Sequence, residues 1–263
     1  MNKQRLIIRI SRDGIMLSTT EEKNVTFERY PLNSGIALAA NMREAMQTVT
    51  MLKDEYNKIV VLTDSPVLTI PVSLFNEEEQ VKLYQHAFTH QEQQLVTHTI
   101  LPDLNAVAVF SVQKDLYQVL RDRFLQVTYQ PLMSSVWHHM YQKSFTGQHQ
   151  KLYGYYHDKK IEVFAFGQNR LKFQNVYNVG TTEDTVYFLL SAWKQLGLDA
   201  QSDELHLAGQ MADKEELKEL LQKFLKRVFV SNPTGEFNRA PATLVEGMPY
   251  DMMLMYLIRS SLT

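Results

Sequence analysis

Apolar and polar residues alternate in short runs at the start of the chain and then change to a helical spacing. Arg5 to Ser11 and Gly14 to Thr20 are two such runs joined by an Asp-Gly turn, and Asn24 to Leu32 is a third. From Gly35 to Tyr56 the apolar residues fall on one helical face, and Lys58 to Thr63 is a short apolar run typical of a buried strand. The pattern predicts a three-stranded meander, a helix and a strand.

The same order recurs in the second half of the chain. Lys151 to Gly180 contains three strand-like runs, and a capped helical pattern starts at Thr181. A buried strand then stops at Gly209, a second helix follows, and a last strand ends before Asn232-Pro233. Meanders continued by helical crossovers imply mixed sheets with helices on their faces.

The middle of the chain predicts a small insertion in the first of these two units. Asn76 starts a helix with three glutamates in its first turn, two strands flank a Pro-Asp-Leu-Asn turn, and Lys114 to Phe124 is a helix. We therefore predict an α+β subdomain over residues 76–126. The polar stretch Ser144 to Gln150 predicts the boundary between a domain of residues 1–146 and a domain of residues 147–263.

This layout resembles the actin-like ATPase superfamily, and within it the bacterial PilM and FtsA types. The segments IPVSLFNEEEQVKLYQHAF and LHLAGQMADKEELKELLQKF look like that superfamily's acidic-start helix and its adenosine-motif strand, turn and helix. The chain also resembles an uncharacterised bacterial domain-of-unknown-function family assigned this fold. The resemblance implies an α/β protein of two ribonuclease H-like domains with mixed sheets, with a nucleotide in the cleft between them.

The chain departs from the superfamily at each ligand motif. The first Asp-x-Gly is replaced by Arg9-Ile10-Ser11, the second by Gly154-Tyr155-Tyr156, and the adenosine-motif Gly-Gly by Gly209-Gln210. Phosphoryl transfer needs a metal held by carboxylates and a backbone cradle, so we expect no catalytic residues, no metal and no cofactor, with ATP and Mg²⁺ disfavoured. If a ligand binds, we expect it in the cleft, against Arg9, Ser11, Arg12, His157, Asp158, Gly180, Thr181, Gly209 and Gln210.

Two of these sites, Arg9 and the helix start at Gly180 and Thr181, have alternative interpretations. Arg9 could hold an anion directly, or it could pair with Asp158 or another acid across the cleft and keep the cleft closed. The amides at Gly180 and Thr181 could bind an anion, or Thr181 and Asp184 could cap the helix.

Composition excludes several functional classes. A net charge of −2 gives no electrostatic case for nucleic acid, and the apolar C-terminal helix from Met252 to Ile258 has no lysine, which favours core burial over membrane attachment. The absence of cysteine and of a membrane-spanning run fits a cytoplasmic protein. We expect a non-catalytic actin-like scaffold or protein-binding module, and a homo-oligomer is compatible with the sequence. The alternative is a nucleotide- or phosphate-binding switch or ATPase that uses altered cleft residues.

Overall fold

A computed structural model describes residues 3–21, 24–88, 93–211 and 213–258 of the protein. The first half of the chain forms β1 (Lys3–Ser11), β2 (Gly14–Glu21), β3 (Asn24–Tyr30), α1 (Leu38–Thr48), β4 (Tyr56–Thr63), β5 (Leu68–Pro71), α2 (Gln80–Ala87), β6 (Gln94–Leu101), β7 (Ala106–Gln113), α3 (Lys114–Arg123), β8 (Val127–Pro131) and α4 (Ser134–Ser144). The second half forms β9 (Lys151–His157), β10 (Lys160–Gly167), β11 (Arg170–Asn178), α5 (Thr182–Gln195), β12 (Glu204–Gly209), α6 (Lys214–Gln222), β13 (Val228–Val230), α7 (Pro233–Glu236) and α8 (Tyr250–Leu257).

Two five-stranded mixed sheets have the same topology. The first has the order β3-β2-β1-β4-β8 and the second has the order β11-β10-β9-β12-β13. In each sheet the three meander strands are antiparallel and the two strands reached by helical crossovers are parallel. The repeat predicted from the periodicity is therefore present, with mixed sheets in both halves.

A third sheet is antiparallel, with the order β5-β7-β6. It begins at Leu68, ahead of the residue 76 at which the sequence predicts the insertion to start. The boundaries of the domains and of the insertion remain predictions.

The helix predicted over residues 35–56 is shorter than its apolar periodicity suggested. α1 ends at Thr48, Val49 is extended, and a separate 3₁₀ turn covers Thr50–Lys53 before β4 begins. The β-branched run from Thr48 to Thr50 lowers helix propensity where the helix ends. Val49 and Leu52 are still buried in the same core as the helix, which explains why the periodicity continues past its end.

Each sheet is covered on one face by helices of its own half and on the other by a helix of the opposite half. β1 directs Leu6 and Ile8 toward α1 and α3, and Ile7 toward Met252 of α8. In the second sheet, α5 and α6 cover one face, while α4 covers the face that carries Tyr153 and Phe164. Each half thus supplies one helix that covers the sheet of the other half. These two helices, α4 and α8, pack against each other between the sheets.

The expected core burial of the C-terminal helix is confirmed within its described residues. Met252 and Leu254 are fully buried and Met255 is nearly so. Among the helices of the described ranges, none combines the length and the apolar character that crossing a bilayer requires.

Gly209 ends β12 at a position that only glycine fits. Its φ is +104°, and a Cβ would collide with the backbone carbonyl oxygen of Tyr156 on the neighbouring β9. We predict that Gly209→Ala lowers the free energy of unfolding by about 2 kcal/mol or more, because strain and overlap add. Gly197→Ala is the matched control, since Gly197 also has a positive φ but has no atom near its Cβ position. Equal losses in urea unfolding would contradict the steric account.

Candidate functional site

Arg9 lies at the centre of the contact between the two halves. It follows Leu6, Ile7 and Ile8 on a strand that is buried on both faces, and its side chain is 2% exposed. Its Nε donates to both carboxylate oxygens of Asp251, at 3.1 and 2.9 Å. Its Nη2 donates to Asp158 Oδ2 at 2.7 Å and its Nη1 to Ser11 Oγ at 2.6 Å. One guanidinium therefore ties β1 to the first turn of α8 and to the β9–β10 hairpin.

Asp158 joins the hairpin of the second half to the hairpin of the first. Besides Arg9, its Oδ1 accepts a hydrogen bond from Ser11 Oγ at 2.6 Å and from the backbone N–H of Asp13 at 2.9 Å. Asp158 and Lys159 form the two-residue turn, both with positive φ, as a tight hairpin requires. Burial alone would raise the pKa of Asp158, but the hydrogen bond from His157 and the charge of Arg9 hold that pKa well below its usual range.

His157 extends the network along β10. Its Nδ1 is 2.8 Å from Asp158 Oδ2 and its Nε2 is 3.4 Å from Glu162 Oε1. Burial alone would lower the pKa of His157, but its hydrogen bonds to the two carboxylates raise it to about 9. The imidazole is therefore a second buried cation beside Arg9 at neutral pH.

Asp251 is the point where equivalent elements of the two halves meet. It is fully buried in the first turn of α8, where a negative charge complements the helix dipole. Tyr155 donates its hydroxyl to Asp251 Oδ2 at 2.9 Å, and Ser135, in the first turn of α4, donates to the Asp251 carbonyl at 2.9 Å. Arg9 and Tyr155 each lie two residues before the end of the first meander strand, so both repeats contribute to the same carboxylate.

The predicted helix-start anion site is occupied by a side chain of the protein. Asp184 accepts from the N–H of Gly180 at 3.0 Å and from the N–H of Thr181 at 3.2 Å, while Thr181 Oγ1 accepts from the N–H of Asp184 at 3.1 Å. This reciprocal capping box confirms the capping interpretation. Gly180 and Thr181 line a pocket of about 130 Å³ together with Tyr156, Met211 and Asp213.

The nine predicted site residues fall into four places. Arg9, Ser11, His157 and Asp158 are joined in the buried network. Gly180 and Thr181 cap α5, and Gln210 follows Gly209 and donates its N–H to the Tyr156 carbonyl at 3.0 Å. Arg12 is exposed at the edge of a pocket of about 410 Å³. This pocket is also lined by Asn33 and Asn41 near the start of α1 and by Gln113 at the end of β7.

Three residues around the network could offer ligand atoms to a metal ion. Oxygen and nitrogen atoms of Asp64, His157 and Asp158 lie within 4.8 Å of one another. Lys160 pairs with Asp64 and Arg9 pairs with Asp158, so each carboxylate already has a cationic partner within the protein. A Mg²⁺ ion there would have to compete with Arg9 and Lys160 for these carboxylates.

Three contributors to this site lie outside the set predicted from the sequence: Asp251, Tyr155 as a hydrogen-bond donor, and Glu162. A usable signal was present for Asp251, because it is the single charge in the apolar helix YDMMLMYL, and a lone buried charge needs a partner.

The contacts of Arg9 predict a large loss of folding stability when its guanidinium is removed. We expect Arg9→Met to lower the free energy of unfolding by about 3–5 kcal/mol, because it leaves Asp158 and Asp251 as buried carboxylates without their shared cation. Arg12→Met, at an exposed position three residues away, is the control and should change it by less than about 0.5 kcal/mol. Similar losses for both variants in urea unfolding would refute a special role for Arg9.

The raised pKa of His157 predicts a loss of stability in alkaline solution. The pKa is about 9 when folded against 6.5 for a free histidine, so the stabilisation is complete below pH 6.5 and disappears as pH rises through 9. The loss should reach about 3 kcal/mol. Unfolding midpoints from pH 6 to 10 should fall more steeply for the wild type than for His157→Gln, which cannot titrate. Parallel curves would exclude a charged His157.

Similarity to other proteins is concentrated in one family and one fold. Residues 1–228 match the family described as Protein of unknown function (DUF3822). No curated protein matches the chain significantly. A Bacteroides thetaiotaomicron protein of unknown function with an actin-like ATPase fold is 28% identical, with a TM-score of 0.81 over 93% of this chain and 97% of its own. A chain of the PilM–PilN type IV pilus biogenesis complex is 10% identical, with a TM-score of 0.55 over 89% of this chain and 90% of its own.

These matches agree with the topology described above. The family model covers most of the chain, and the Bacteroides protein has the same fold over nearly its whole length. The resemblance stated from the sequence motifs is confirmed for the fold. The chain is a member of the DUF3822 family and has an actin-like ATPase fold of two related α/β halves.

Proposed function

We propose that this protein is a non-catalytic actin-like scaffold that works by binding protein partners. One observation carries the proposal. The position that corresponds to the first phosphate motif holds Arg9, whose three guanidinium nitrogens donate to Asp251, Ser11 and Asp158. A buried ion network therefore fills the place where the resemblance would put a metal–nucleotide complex.

Two further features support a scaffold. The helix-start amides at Gly180 and Thr181 are already bonded to Asp184, so a phosphate would have to displace a carboxylate held by its own helix. Tyr155 and Tyr156 replace residues of the second phosphate motif, and Tyr155 is committed to Asp251. The two network carboxylates that bind Arg9, Asp158 and Asp251, are thus already engaged by a cation of the protein itself.

The choice of a protein partner follows from charge and from fold. A net charge of −2 gives nucleic acid no electrostatic attraction. The PilM–PilN complex contains a chain of the same fold, so this fold can take part in a protein assembly. A cytoplasmic location and self-association remain expectations of the same proposal.

One feature favours the alternative of an anion-binding switch. Arg12 is exposed beside the pocket at the carboxyl ends of β1 and β4, the side of an α/β sheet where ligands commonly bind. An arginine there could hold a phosphate directly, without a metal.

A thermal-shift titration separates the two functions. A ligand present at about 100 times its Kd adds about 2.7 kcal/mol of stability. For a chain of this size that corresponds to a rise in Tm of about 5–10 °C. We expect neither Mg-ATP nor inorganic phosphate to raise the Tm, and no Mg-dependent ATP hydrolysis above background. A rise in Tm that disappears in Arg12→Gln would contradict the scaffold function and support the anion-binding switch.

A further inference from the structure

A second cleft lies between the two halves, beside the Arg9 network. It has a volume of about 520 Å³ and is bounded by residues 64–69, which lead into β5, and by residues 171–176 of β11, with Phe88 at one side. We call it the β11 cleft. Glu162 of the network and the Asp64–Lys160 pair lie at its margin, and the remainder of its lining has no role in the network and needs a separate explanation.

The cleft follows the open edges of two sheets. Neighbouring residues of a strand point to opposite faces, so six consecutive residues can line one cavity only if the cavity runs along the strand's edge. Residues 171–176 of β11 do so on one side, where Lys160 and Glu162 of β10 also extend the cleft over the adjoining face of the sheet. The other side consists of the loop of residues 64–67 and the first residues of β5. β11 and β5 are each the terminal strand of their sheet within the described residues.

The direction of the β11 backbone groups can be read from the register. Val179 donates its N–H to the Lys159 carbonyl at 3.1 Å, and the pairing with β10 is regular from Phe173 to Asn178. In an antiparallel ladder alternate residues point toward the partner strand. Phe173, Asn175 and Tyr177 therefore bond to β10, whereas Gln174 and Val176 direct their N–H and C=O groups into the cleft.

A side chain of the protein holds one of these outward donors. The N–H of Val176 donates to Asn175 Oδ1 at 2.8 Å, which confirms that this N–H is not used by β10. Asn175 is exposed, and its Nδ2 bonds to the hydroxyl of Tyr177 at 2.9 Å. The amide oxygen occupies the place that the carbonyl of an added strand would take.

The residues that line the β11 cleft indicate which kind of polypeptide segment could bind in it. Val176 is 42% exposed, and Leu68, Phe88 and Phe173 add further apolar surface. The charged residues of the lining are the paired Asp64 and Lys160, together with Glu162 and Lys172, so the charges balance. This combination suits an uncharged segment with apolar side chains at alternate positions.

We propose that β11 accepts an extended, uncharged segment of a partner protein as an additional strand, which displaces the Asn175 side chain from the Val176 N–H. Free strand edges are templates for such pairing, and the backbone supplies affinity while alternate side chains supply specificity. The apolar walls and balanced charges of the cleft favour an uncharged extended segment, and residues 64–69 face β11 across it. The inference rests on the proposed scaffold function and gives its partner a binding place.

The test uses linear decapeptides from a displayed random library, selected on the full chain, resynthesised with a fluorophore and titrated by fluorescence anisotropy. We expect the selected peptides to alternate apolar residues and to carry no net charge. Val176→Pro, which removes the outward N–H, should weaken their binding at least tenfold. Asn175→Ala, which frees that N–H, should strengthen it severalfold.

Val230→Pro is the matched control, because it places a proline at the opposite edge of the same sheet. The N–H of Ser231 bonds to the Leu207 carbonyl, so that of Val230 points outward, and its variant should bind the peptides as the wild type does. The proposal is overturned if no peptide is enriched, or if Asn175→Ala and Val176→Pro both bind like the wild type. If Val176→Pro does not fold, the proposal is decided by whether Asn175→Ala binds the peptides more strongly than the wild type. If the peptide test fails and the nucleotide titration is also negative, β11 is excluded as the binding site, but the proposed scaffold function is retained.

Discussion

The buried pairing of Arg9 with Asp158 and Asp251 is the constraint on which the arrangement of the halves depends. Removing three charges from water costs several kcal/mol per ion, and only their mutual attraction and complete hydrogen bonding offset that cost. Each partner comes from a different element: β1, the β9–β10 turn and the first turn of α8. Any movement of one half relative to the other would separate these charges inside the protein, where an unpaired charge is most expensive.

Helix packing holds the two halves together as well as the ion pairs do, because each half covers the sheet of the other with one of its helices. α8 covers the first sheet with Met252 and Met255, and it positions Asp251 against Arg9 at the same time. α4 covers the second sheet and donates from Ser135 to the backbone of Asp251. Hydrophobic packing therefore fixes the helix, and the helix fixes the carboxylate. A cleft held in this way is suited to presenting fixed surfaces, such as the edge of β11, more than to closing around a ligand.

Local features of this fold could be predicted from the sequence, whereas the partners in the network could not. Strand and helix order followed from periodicity, and the Thr181–Asp184 cap followed from residue types three apart. Arg9 was correctly expected to pair with Asp158 as one of two interpretations, because the repeat brings the two hairpins face to face. Asp251 lies 242 residues from Arg9, and no periodic pattern connects positions so far apart. The end of α1 was misplaced because Val49 and Leu52 remain in the core after the helix stops.

The central claim is that the Arg9 network holds the halves in one arrangement, and a distance measurement between them tests it most directly. The chain has no cysteine, so spin labels can be placed at cysteines introduced at the exposed positions Glu55 and Lys194, one in each half. Pulsed electron–electron double resonance should give one narrow distance distribution between the labels. Mg-ATP should leave this distribution unchanged, and Arg9→Met should broaden it. A broad distribution in the otherwise unaltered protein, or a shift on adding Mg-ATP, would contradict the account.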